Sequence, residues 1–117
     1  GKLDQAIQAL TNLQVIAPQN EKYLLALARV HKKQDNFLAA QRFIEEAHSI
    51  APKNIPVVLE WLNIAVNAAT SRSLKKKDRE AAQRSARKAL NALQTLSPNH
   101  PATKLFNEKL ESIAQTT

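Results

Sequence analysis

A histidine and a carboxylate one helical turn apart are the first residues to test for chemistry. The run Glu45-Glu46-Ala47-His48 supplies one such pair, Glu45 with His48. On a helix these side chains share a face, and bundles that hold carboxylate-bridged iron use this spacing. They use it twice, with two further inward glutamates, and the sequence has no second copy. The expectation is therefore an exposed helix face. His31 and His100 stand apart; His31 falls on an apolar stripe, where a buried, hydrogen-bonded imidazole is expected. With no Cys there is no disulfide, thiolate ligand or thiol nucleophile, a composition that fits cytoplasm or periplasm alike. The single Gly excludes a glycine-rich phosphate loop, and spacing nominates no Ser, His and Asp constellation. These residues point away from catalysis and name no cofactor or metal.

Charge offers a second kind of site. Between residues 71 and 90 lie eight cations, Arg72, Lys75, Lys76, Lys77, Arg79, Arg84, Arg87 and Lys88, against only Asp78 and Glu80. Six of the seven net positive charges of the chain thus sit in one local patch. Such a patch attracts an anionic partner, whether nucleic acid, an acidic peptide or a lipid surface, through long-range potential and counterion release. The competing reading is a solvated loop that keeps the domain soluble. No aromatic residues are interleaved for base stacking, so the patch by itself specifies no ligand.

The elements that must position these groups are helices. At 117 residues the chain fits one domain, and one Gly, abundant Ala, Leu, Gln, Lys and Glu, and few aromatics favour helix over strand. Apolar runs of only a few residues, such as Ile55 to Leu59, exclude a membrane-spanning helix. The start, Gly1-Lys2-Leu3-Asp4, has no initiator Met and no charged-then-apolar leader, so the expectation is a piece of a longer protein.

Apolar residues return with the helical period in six stretches. Leu3, Ala6, Ile7, Leu10, Leu13 and Ile16 or Ala17 mark the first; Leu24, Leu27, Ala28 and His31 the second; Phe37, Ala40, Phe43, Ile44, Ala47 and Ile50 the third. Val58, Trp61, Leu62 and Ala65 mark a fourth from about Pro56 to Thr70, and Ala82, Ala86, Ala89, Leu90 and Leu93 a fifth from about Asp78 to Leu96. Leu105, Phe106, Leu110 and Ile113 mark a sixth. The stops repeat too. Ile16-Ala17-Pro18-Gln19-Asn20 returns 34 residues later as Ile50-Ala51-Pro52-Lys53-Asn54, and Leu96-Ser97-Pro98-Asn99-His100 follows after a further 46. Proline cannot continue a helix, since it lacks the donor and its ring clashes with the preceding turn.

A 34-residue return with Leu24, Leu27, Ala28, Phe37, Ala40, Ile44, Ala47 and Pro52 at the interior and closing positions resembles the tetratricopeptide repeat. His31 stands where that family favours Tyr, Asp35 where it favours Gly, and Trp61 where it favours Leu. The resemblance implies an all-α superhelix of antiparallel helix pairs. Residues 1–20 would be the second helix of a truncated repeat, 21–54 a full repeat, 55–100 a repeat with an insertion near 71–77, and 101–117 a capping helix. Asn107 and Glu108 stand where another repeat would need Leu and a small residue, and Gly1 would fall at an inter-helix turn. The first helix lacks its partner, so self-association through its apolar face is an expectation.

Helix geometry puts Lys22, Leu25, Arg29 and Lys32 or Lys33 on one stripe turned away from the core. Leu59, Asn63, Val66 and Asn67 are the matching stripe one repeat on. In the family such stripes line a concave groove that receives partner segments. The resemblance therefore implies a protein interaction module without chemistry of its own. Its cations would meet carboxylates, its amides peptide backbone, and Leu25, Leu59 and Val66 apolar side chains. Binding of nucleic acid or another anionic surface through residues 72–88 is the alternative.

Overall fold

The structure, a computed structural model, describes residues 2–16 and 20–116, with side chains for 2–9 and 20–114. Asparagine precedes three helices and caps two of them. Asn20 Oδ1 accepts the Lys22 amide at 2.9 Å and opens α2, Glu21–Lys33. Asn54 Oδ1 accepts the Val57 amide at 3.2 Å and opens α4, Ile55–Thr70, with Pro56 in the first turn, where its missing donor costs nothing. Asn36 precedes α3, Phe37–Ile50, without a side-chain cap; its amide instead reaches His31 Nδ1 at 3.5 Å. The other described helices are α1 (Lys2–Ile16), α5 (Lys76–Leu96) and α6 (Pro101–Thr116). The chain is all-α over the described residues, and none of the helices among them is long and apolar enough to cross a membrane. Gly1, Ala17 and Pro18, and the side chains of Leu10, Leu13 and Ile16, lie outside the described residues.

Asp35 shows how α2 ends. It takes φ 59°, the left-handed region that glycine occupies without strain. Its amide bonds to the Lys32 carbonyl at 2.9 Å, and the Asn36 amide bonds back to the His31 carbonyl at 2.9 Å. The paired bonds make a Schellman turn that reverses the chain into α3. Asp35→Gly is expected to stabilise the fold by about 1 kcal/mol by removing the steric cost of Cβ at positive φ. A melting temperature raised by several degrees is the check; no rise would mean that the aspartate side chain offsets the strain.

The twelve extra residues of the second helix pair are not one loop. Compared with α2 and α3, they enter as three residues in α4, two in the connection after it, and seven in α5. Lys76 and Lys77, expected in an insertion, form the first turn of α5.

Successive helices pack side by side, and α2 also touches α4, as α4 touches α6. The slab measures 42 × 32 × 20 Å, its short dimension that of two helix layers. Ala28, Ala40 and Ala47 are fully buried and let α2, α3 and α4 approach, while Leu24, Leu27 and Ile44 fill the space between them. Helix α4 is the most enclosed, with Val57, Val58, Leu62, Ile64, Ala65 and Ala68 wholly shielded from solvent. Not every expected stripe residue is enclosed: Leu3 is exposed, and Phe37 and Ile50 are half-buried. Phe43 is half-buried beneath His31, and Leu105 is 50% exposed because α6 turns Phe106, Leu110 and Ile113 inward instead.

Candidate binding surfaces

Two surfaces carry the candidate residues. The first lies along α2 and α4, and a glutamate absent from the sequence stripes organises it. Glu60 Oε1 is 2.7 Å from Lys32 Nζ and 3.8 Å from Arg29 Nε. Lys32 Nζ also donates to Asn63 Oδ1 at 3.3 Å, which accepts a second bond from Asn67 Nδ2 at 3.0 Å. One network thus joins Arg29, Lys32, Asn63 and Asn67 across two helices. The Glu60 oxygen is buried and takes no well-angled hydrogen bond, so the ammonium beside it is its compensation.

This geometry settles which cation of the pair Lys32 and Lys33 lies inside. Lys32 is turned in and neutralised; Lys33 is exposed. Arg29 is loosely held, with its side chain 52% exposed, so its guanidinium remains open to a carboxylate. A cavity of about 430 Å³ opens beside it, walled by Leu3 and Ala6 of α1 and by Val30, Lys33 and Glu60. Leu25 and Leu59 are half-buried and pack against the core; neither lines this cavity. Val66, expected to offer apolar contact, is a core residue instead, because α4 is packed on several faces at once. Lys22 stays exposed at the start of α2, about 10 Å along the axis from Arg29 and outside the network.

The second surface is the basic segment. Arg72, Lys75, Lys76, Lys77, Arg84, Arg87 and Lys88 are all exposed, and the last five are carried on α5. Arg79 is half-buried, with Nη1 donating to the Leu74 carbonyl, so it fastens the α4–α5 connection to the helix. Lys76 faces Glu80 one turn on at 3.9 Å, a distance that contributes little in water. A second cavity of about 550 Å³ lies between the end of α4, the start of α5 and Ile113 of α6. Arg72, Lys76 and Arg79 line it, together with Gln83, whose Nε2 is buried without a partner.

The histidines serve structure. His48 tilts against the Trp61 ring, 4.7 Å between centroids, and is half-buried, while Glu45 of the same turn is exposed. His31 is half-buried, not enclosed, and stacks on Phe43 at 5.3 Å. Burial, and secondarily the Arg42 charge, push its pKa below the usual histidine value. His100 Nδ1 accepts the Ala102 amide at 3.1 Å and caps the start of α6. Among the described residues no three metal-ligating side chains are grouped to hold an ion.

Glu60 was visible in principle. With Asn63 and Asn67 it makes a polar stripe at spacings of three and four, on a helix otherwise almost entirely apolar. No family model matches the chain, and no curated protein matches it significantly.

Proposed function

We propose that this chain is a tetratricopeptide-like interaction module that receives an extended or helical segment of a partner protein and performs no reaction of its own. The observation that carries the reading is the Arg29, Lys32, Glu60, Asn63 and Asn67 network lying across α2 and α4. These are the helices that touch each other as well as their sequence neighbours, as the first helices of stacked pairs do. The network holds Asn63 and Asn67 in fixed rotamers, which lowers the ordering cost of meeting a peptide backbone. Arg29 and Lys33 project from its edge, so the preferred segment carries an acidic side chain beside an apolar one that enters the cavity bounded by Leu3 and Ala6.

Selection from a random peptide library, followed by fluorescence anisotropy on the winners, tests this. Acidic, apolar-flanked peptides should emerge, and Arg29→Glu should weaken them about tenfold, or roughly 1.4 kcal/mol, measured at a temperature where the variant, which sets a second carboxylate beside Glu60, is still fully folded. Peptides that bind Arg29→Glu as tightly as the wild type would remove the groove from the account.

A further inference from the structure

The basic face of α5 has a shape as well as a charge. Lys76, Lys77, Arg84, Arg87 and Lys88 fall within about 120° of the helix circumference at 100° per residue. Along the axis they form two groups. Lys76 and Lys77, joined by Lys75 and Arg72 of the connection, stand about 10–18 Å from Arg84, Arg87 and Lys88. The opposite side of the helix is closed, with Ala82, Ser85, Ala86, Ala89, Leu90 and Leu93 packed inward. The result is a rod exposing two cationic clusters, with Lys76 paired only weakly to Glu80.

These cations are also badly placed for the helix itself. Lys75, Lys76 and Lys77 at the start of α5 oppose its macrodipole, Lys75 supplies no side-chain cap, and Asp78 alone among the first-turn residues complements the dipole. An anion at that end would satisfy both the dipole and the side chains.

We infer that this face of α5 is a docking surface for the sugar-phosphate backbone of double-helical DNA, bound without base specificity. The major groove of B-form DNA is about 12 Å wide and admits an α-helix. Cations at both ends of a stretch about 18 Å long, spread about 120° around the rod, meet phosphates on both walls of such a groove. A flat membrane would touch only a narrow line of the rod. It would also lack an anchor, because the large apolar side chains exposed among the described residues, Leu3, Leu38 and Leu105, all lie outside this segment. The helix has no aromatic residue, which disfavours a single strand held by base stacking. The surface is separate from Arg29 and its network, so it stands or falls independently of the groove.

Anisotropy of a labelled mixed-sequence DNA duplex about two turns long, titrated with salt, reads the contact. Four to six phosphate contacts predict a log-log slope of about −4 to −5. The triple variants Lys75→Ala, Lys76→Ala, Lys77→Ala and Arg84→Ala, Arg87→Ala, Lys88→Ala should each flatten it by about two to three units; the second should leave the circular dichroism melt as in wild type, and the first should melt no lower, because the lysines it removes oppose the helix dipole. An A-form RNA duplex, whose deep, narrow major groove admits no helix, should bind more weakly. Slopes unchanged by both triple variants would overturn the proposal. So would equal affinity for the RNA duplex or a single strand, or tighter binding to phosphatidylserine vesicles at the same ionic strength.

Discussion

Trp61→Ala is expected to destabilise the fold by about 3–5 kcal/mol, a large share of the 5–15 kcal/mol that holds a domain of this size. The indole is 7% exposed and sits where α3, α4 and α5 meet. Its Nε1 donates to Ser85 Oγ at 2.8 Å, and the serine hydroxyl in turn donates a hydrogen bond to Glu45 Oε1 at 2.8 Å. Gln41 Nε2 reaches the same carboxylate oxygen at 3.4 Å. Ser85 is the buried polar residue among those described, and this chain of bonds is what makes it tolerable there. Conservative variants separate packing from polarity. Trp61→Phe keeps a ring but leaves Ser85 without its donor, and should cost about 1–2 kcal/mol; Ser85→Ala leaves a buried indole N–H unpaired, and should cost about 1–3 kcal/mol. The double variant removes both partners, so urea unfolding should show it less destabilised than the sum of the two. Strict additivity would mean that the relay contributes nothing beyond the volume of its side chains.

Trp61 also shows what was legible in the sequence and what was not. Its place on the apolar stripe of α4 was plain, but the partner that accommodates it is 24 residues away on another helix. Periodicity within one helix reports which side faces inward; it does not report which residue of a neighbour stands opposite. The six helices and their proline stops were readable because each depends on local terms: side-chain period, asparagine caps, and the missing donor of Pro52 and Pro98. Glu60 was missed because its meaning comes from Lys32 on another helix. Leu105 and Val66 were misplaced because a helix packed by several neighbours buries more than one stripe, whereas a terminal helix buries only the side its one supporting layer covers. The beginning of α5 was hard to read for another reason. Residues 71–77 were read as an insertion from the longer spacing between proline stops, which counts the extra residues but does not place them, whereas most of them lengthen α4 and α5 and Lys76 and Lys77 open α5.

Breaking the Lys32–Glu60 pair from one side should be nearly as costly as cutting into the core. The glutamate side chain is 12% exposed and the lysine 25%, so each charge has lost most of its water and has the other as replacement. Lys32→Ala leaves the carboxylate facing only Arg29, 3.8 Å away and itself half in solvent, and is expected to destabilise by about 2–3 kcal/mol. Replacing both by leucine removes the desolvated charges together and should bring stability within about 1 kcal/mol of wild type. The single-sided loss and its recovery, followed by urea unfolding, separate this pair from an ordinary surface ion pair, for which Lys32→Ala would cost under about 1 kcal/mol. The doubly substituted protein then isolates function from folding. It retains the helices and the exposed Arg29, but Asn63 has lost the ammonium that ties its carbonyl to α2 and keeps only the bond from Asn67 on its own helix, so its amide is held less firmly. Peptides selected against the wild type should therefore bind this variant several-fold more weakly despite its intact stability. Undiminished binding would mean that the ion pair organises the fold and not the groove.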